Sequence, residues 1–116
     1  MAQIKYNLGD LSKEKYSTDE IVIGTWIDGK PLYRKVVILD NPYHGMTFSI
    51  ANIDEPINVI WKQTHPTGVY FSYSYDGSSM STICFKPTSK NFEITMGGGF
   101  SGKMVAILEY TKTTDA

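Results

Sequence analysis

The sequence has 116 residues with 11 basic and 12 acidic side chains, so its net charge of −1 lacks the positive excess that proteins use against a nucleic-acid backbone. This length suffices for one domain with a single core. Its longest apolar runs are about five residues and no signal peptide is recognisable, so we expect neither nucleic-acid binding nor membrane insertion.

The single cysteine, Cys84, excludes a disulfide within the chain. It lies in an apolar run between Ile83 and Phe85, where we expect a buried thiol that packs as a small apolar side chain. A lone cysteine fits synthesis in a reducing cytoplasm, whatever the later location of the protein.

Residues 1–19 are polar, show no sustained helix or strand period, and are expected to form an arm or linker. From Glu20 onwards the chain changes to short β-branched and aromatic runs, bounded by Gly, Pro, Asn, Asp or Ser and spaced by about ten residues. The eight runs are Glu20–Ile27, Leu32–Leu39, Met46–Ala51, Ile57–Gln63, Val69–Tyr75, Ser81–Lys86, Phe92–Met96 and Lys103–Thr111.

This spacing predicts an all-β domain over residues 20–116, an antiparallel, jelly-roll-like sandwich of about eight short strands. Asp28-Gly29 is the strongest hairpin signal, because a tight turn between twisted strands needs positive φ angles. The run Val69–Tyr75 alternates in the manner of a half-buried strand. The last run is apolar on both faces, so its second face is expected to be covered by another sheet or another subunit.

Nothing in the sequence predicts catalysis or a resident cofactor. His44 and His65 lack the neighbouring ligands that a zinc site requires, so we expect loop histidines and no metal. No Gly-x-Ser-x-Gly is present, and Gly97–Gly102 lacks the Gly-Lys-Ser/Thr ending of a phosphate loop. Acidic residues such as Asp76 could still converge in space, which leaves a small carbohydrate-active enzyme as an alternative.

Aromatic residues make up 13% of the chain, and eight of them are tyrosines. Amphipathic rings are favoured at interfaces, because one end is apolar and the other forms hydrogen bonds. We therefore expect part of this set to contact another subunit, and the loops to be the places where a glycan would bind. The predicted binding residues are Tyr43, His44, His65, Tyr70 and Tyr75.

Two segments carry a family resemblance: YSTDEIVIGTWIDGKPLYRK at residues 16–35 and LEYTKTTD at residues 108–115. They resemble segments of small phage and prophage virion proteins of the tail fibre, head fibre or receptor-binding type. The resemblance implies a β-sandwich in the virion, commonly a homotrimer, that contacts other virion proteins and attaches to a host-surface glycan or protein. The two segments themselves have the character of a hairpin and a last strand, and we expect these end strands to pair with each other. The resemblance assigns no functional residue. A capsid or tail cement protein without a receptor is a further alternative.

Overall fold

The computed structural model describes residues 16–65, 68–71, 74–76, 79–97 and 102–115. Within these ranges the chain forms nine β-strands and no helix. The strands are β1 (Ile21–Thr25), β2 (Pro31–Leu39), β3 (Thr47–Phe48), β4 (Ile53–His65), β5 (Gly68–Phe71), β6 (Ser74–Asp76), β7 (Ser79–Lys86), β8 (Asn91–Gly97) and β9 (Met104–Lys112).

The strands form two antiparallel sheets, one of five strands in the order β1-β2-β9-β4-β5 and one of four in the order β3-β8-β7-β6. The predicted all-β antiparallel sandwich is confirmed. One predicted strand is divided: the run Val69–Tyr75 belongs to β5 in the five-stranded sheet and to β6 in the other sheet. The segment therefore passes from one layer of the sandwich to the other.

The hairpin predicted at Asp28-Gly29 is present between β1 and β2. Gly29 has a φ of 90°, in the left-handed region that disfavours a side chain. The Trp26 amide donates to the Lys30 carbonyl at 2.8 Å, and the Gly29 amide donates to the Trp26 carbonyl at 2.9 Å. The side chain of Asp28 accepts from the Lys30 amide at 2.9 Å, which closes the turn from its outer side.

Strand β9 lies in the middle of the five-stranded sheet, between β2 and β4. Its even-numbered residues from Met104 to Tyr110 point into the sandwich and are buried, whereas the odd-numbered Val105, Ile107 and Glu109 point outwards and are partly exposed. The buried apolar side chains form one cluster that draws on both sheets. Its members are Leu39, Ile50, Ile53, Trp61, Phe92, Ile94, Met104, Ala106, Leu108 and Tyr110.

The expectation of a buried Cys84 is wrong, because the thiol is exposed on β7. Ile83 and Phe85 lie opposite the buried Ile94 and Phe92 of β8 and face the core side of the sheet. Successive side chains of a strand point to opposite faces, so Cys84 between them points outwards. The apolar neighbours that suggested burial lie on the other face.

The two segments that carry the family resemblance meet in the structure, as expected. Strands β2 and β9 pair over seven positions, from Tyr33 opposite Tyr110 to Leu39 opposite Met104. The Tyr110 hydroxyl donates to Glu20 Oε1 at 2.5 Å, and Lys112 Nζ lies 2.8 Å from Glu20 Oε2. These three side chains fasten the start of β1 to the end of β9, and we call them the terminal clasp.

Electrostatics fixes the charge states of the terminal clasp. Burial raises the pKa of Glu20, but the hydrogen bonds from Lys112 and Tyr110 and the charge of Lys112 outweigh it and bring the pKa below its ordinary value. Burial and the neighbouring carboxylate both raise the pKa of the Tyr110 hydroxyl, which stays a neutral donor. A charged acceptor therefore faces a cation and a hydroxyl, the arrangement that strengthens a hydrogen bond.

Candidate interaction surfaces

The outward face of the five-stranded sheet carries an apolar patch built from its three central strands. The register places Val36, Ile107 and Ile60 side by side across β2, β9 and β4. The next row in the same direction consists of Ile38, Val105 and Lys62. We call the five apolar residues of these rows, Val36, Ile38, Ile60, Val105 and Ile107, the apolar outer face.

The apolar outer face is open to solvent among the residues that the structure describes. Ile38 is 47% exposed and Ile60 is 44% exposed, values unusual for side chains in the middle of a sheet. A depression of about 320 Å³ lies here, lined by Ile60, Trp61, Lys62, Val105 and Ile107. Val69 of β5, opposite Thr64 in the register, extends the apolar surface and is 49% exposed.

A polar rim borders the apolar outer face on one side. Arg34 and Glu109 are cross-strand partners in the row before Val36, and both Nε and Nη2 of the arginine donate to Glu109 Oε2, at 3.0 and 2.8 Å. The ring of Tyr16 covers the guanidinium at 4.6 Å. An apolar centre with a rim of paired charges is the usual anatomy of a protein interface.

The register also shows where the predicted binding residues lie. The loop with Tyr43 and His44 follows the end of β2, next to the start of β9, since Leu39 is opposite Met104. His65 is opposite Gly68 at the β4–β5 turn, close to the same end, because Gln63 is also opposite Met104. We call this end of the sandwich the loop end.

Tyr43 and His44 are both exposed, and Tyr43 is 64% exposed. The Nδ1 atom of His44 accepts a hydrogen bond from the Met96 amide at 3.1 Å, and the neighbouring Gly45 amide donates to the Ile94 carbonyl at 2.8 Å. His44 therefore holds its loop against β8 through this ring nitrogen. This anchoring leaves the Tyr43 ring displayed on a fixed loop.

The backbones of the other three predicted residues are described, and their side chains lie outside the described part. Tyr70 is opposite Gln63 in the five-stranded sheet, and Tyr75 is opposite Met80 in the other sheet. Met80 is in turn opposite Gly97, next to the Met96 amide that His44 contacts. All five predicted residues thus lie near the loop end: two in the β2–β3 loop, two in the five-stranded sheet and one in the four-stranded sheet.

Sequence reasoning recognised the two-faced β9 but missed its neighbours Val36, Ile38 and Ile60. Their signal was available, since Ile57–Gln63 and Leu32–Leu39 also place apolar side chains on both faces.

Within the described ranges no group of three or more His, Cys, Asp or Glu residues could hold a metal ion. The same residues contain no helix of the length and hydrophobicity needed to cross a bilayer.

Comparison of the chain with protein-family models, curated proteins and solved structures gives no match.

Proposed function

We propose that this chain is a structural or adhesive domain of a bacteriophage virion, of the tail fibre, head fibre or receptor-binding type. It acts by binding proteins or glycans rather than by catalysis. In this proposal the five-stranded sheet forms the contact between three copies of the chain. The loop end then carries the contact with a host-surface glycan or protein.

The observation that carries the proposal is the apolar outer face. Ile38 and Ile60 are exposed, and the other three residues of this face are partly exposed. Burying a fully exposed Val or Ile side chain is worth about 1.5–3 kcal/mol, so covering this group favours association. The resemblance of residues 16–35 and 108–115 to phage virion proteins supplies the setting. The same two segments contribute three of the seven β2–β9 pairs and all three side chains of the terminal clasp, which are structural elements.

Light scattering behind a sizing column tests the assembly. The expected mass is that of three protomers, and a mass of one protomer would refute the homotrimer. The substitution Ile60→Lys places a charge in the centre of the proposed contact and should convert the trimer to a monomer, because an unpaired buried charge is costly. Ile27→Lys is the matched control: Ile27 is 90% exposed on the β1–β2 turn, away from the apolar outer face, and its replacement should leave the mass unchanged.

The virion setting is tested separately. Antibodies raised against the purified chain should label particles induced from the source prophage or phage, as seen by electron microscopy. Labelling of the particle supports the proposal. Absence of the chain from purified particles would refute it, even if the trimer exists.

A further inference from the structure

The imidazole of His44 continues the hydrogen bonding of β8 beyond the end of β3. The main chain before β3 still bonds to β8, since the Gly45 amide donates to the Ile94 carbonyl and the Ile94 amide donates to the Met46 carbonyl, both at 2.8 Å. Alternate amides of a strand point to the same edge, so the next donor on this edge of β8 is the Met96 amide. Its acceptor is a side-chain atom, His44 Nδ1, at 3.1 Å.

A side chain accepts this bond because the main chain turns back at this point. The Met46 amide donates to the Tyr43 carbonyl at 3.0 Å, and Gly45 has a φ of 86°, which is the pattern of a type II turn with His44 and Gly45 at its centre. We call residues 43–46 the Tyr43 turn. The hydrogen bond from Met96 to His44 fastens the outer part of this turn to the sheet.

The chemistry of imidazole makes this hydrogen bond sensitive to pH. A neutral imidazole has one N–H and one acceptor nitrogen, so acceptance at Nδ1 of His44 requires the proton to be on Nε2. The imidazolium ion carries an N–H on both nitrogens and accepts no hydrogen bond. Protonation of His44 would therefore set two donors, its own Nδ1–H and the Met96 amide, against each other. Histidine is the side chain that ordinarily changes charge between pH 5 and 8.

The charged groups on the neighbouring elements form pairs of their own. Asp40 precedes the Tyr43 turn in the same loop, and its Oδ1 lies 4.0 Å from Nζ of Lys103 at the start of β9. On β8, Glu93 lies 3.5 Å from Nζ of Lys86. Carboxylates and lysines ordinarily titrate outside the range from pH 5 to 8. The remaining histidine of the chain, His65, therefore provides the matched control.

We infer that His44 is a pH-sensitive latch, which holds the Tyr43 turn against β8 at neutral pH and releases it on protonation in mild acid. The hydrogen bonds of Gly45 and Met46 to Ile94 do not involve the imidazole, so the sheet stays closed while the turn is released. The consequence for binding rests on the proposed function. The turn carries the exposed ring of Tyr43 at the loop end, so acid should weaken a host contact made through that ring.

Hydrogen exchange of single amides, followed by nuclear magnetic resonance, tests the latch without any ligand. The protection factor of the Met96 amide should fall about tenfold between pH 7.5 and pH 5.5, the size of the effect of one lost hydrogen bond. The protection factor of the Ile94 amide should change by less than about twofold, because its acceptor is a backbone carbonyl. Unchanged protection at Met96, or an equal loss at both amides, would overturn the inference.

Two variants assign the effect to one side chain. In His44→Asn the side-chain oxygen takes about the place of Nδ1 and has no charge to gain, so the protection of Met96 should no longer depend on pH. His65→Asn should leave the pH dependence of Met96 as it is in the unmodified chain. A dependence that persists in His44→Asn, or that disappears in His65→Asn, would overturn the assignment.

Binding to an array of bacterial cell-wall glycans at the two pH values tests the consequence for the proposed function. The unmodified chain should bind about tenfold more weakly at pH 5.5 than at pH 7.5, and His44→Asn should bind equally at both. An equal loss in both proteins would overturn the role of the latch in binding. A chain that binds no glycan at either pH would refute the glycan receptor, whereas hydrogen exchange at Met96 would still decide whether the latch exists.

Discussion

The hydroxyl of Tyr110 donates a 2.5 Å hydrogen bond to the carboxylate of Glu20, which lies 90 positions earlier in the chain. Tyr110 is fully buried, and its ring lies 6.0 Å from that of Tyr33 on the neighbouring strand. The contact thus joins a core side chain of β9 to the residue that precedes β1. It makes the mutual position of the two end segments depend on one charged acceptor.

The substitution Tyr110→Phe should lower the free energy of unfolding by about 1.5–3 kcal/mol, because it removes a hydrogen bond to a charged group while the ring stays in place. Urea unfolding followed by tryptophan fluorescence measures the change. Tyr43→Phe is the matched control, since the Tyr43 ring is largely exposed and the same deletion there should change stability by less than about 0.5 kcal/mol. Equal effects at the two positions would contradict the terminal clasp.

Stability should fall in acid through Glu20. Its pKa in the folded protein lies below the ordinary value of 4.5, so the stabilisation is present above 4.5 and is lost as the pH falls through the folded value. The difference in urea midpoint between the unmodified chain and Glu20→Gln should therefore be largest near neutral pH and shrink in acid. Glu55→Gln, at an exposed position of β4, is the control. A difference that persists unchanged down to about pH 3 would contradict this assignment.

Gly29→Ala should destabilise the protein by about 1–2 kcal/mol, because a side chain is strained at a φ of 90° even though no atom lies within 4 Å of the added Cβ. Gly24→Ala is the matched control on the same hairpin, where the added Cβ also meets nothing within 4 Å and φ is not positive. Thermal unfolding compares the two. A larger loss at Gly24 would contradict the described turn.

Cys84 should react with a small thiol reagent in the folded protein. Its side chain is exposed on β7, so native and urea-unfolded protein should be modified at rates within about tenfold of each other. Absorbance of the released chromophore follows the reaction. Protection of the native thiol by several orders of magnitude would mean that another surface covers this face of β7.

Tyr43→Ala should abolish glycan binding without changing the stability or the mass of the protein. The reason is that the Tyr43 ring is exposed at the loop end, where a sugar ring could stack on it. Binding of the unmodified chain and the variant to an array of bacterial cell-wall glycans measures the effect. The control is Tyr16→Ala, an aromatic ring 61% exposed that lies over Arg34 on the five-stranded sheet. Absence of binding by the unmodified chain would contradict a glycan receptor.

The spacing of β-branched runs and turns was sufficient to predict the sandwich, because strand period and turn chemistry are local properties. The same local information placed Cys84 wrongly, since neighbours in sequence lie on opposite faces of a strand. It also predicted one strand from Val69 to Tyr75 where the structure has two, because the alternation of side chains continues although the chain changes sheet. The pattern of β9 alone could not predict the apolar outer face. That face forms only when the fold places Ile38 and Ile60 beside Val105 and Ile107.

The central place of β9 affects synthesis of the protein. Strands β2 and β4 have no hydrogen-bonded contact with each other except through residues 104–112, so the five-stranded sheet cannot close until that stretch has left the ribosome. Pairing between such distant segments is slow compared with local hairpins. Before β9 emerges, the β1–β2 hairpin and β4 each expose an unpaired strand edge. Such edges are sites where nascent chains associate wrongly. We therefore expect soluble production of this chain to depend on slow translation or on chaperones that bind extended segments.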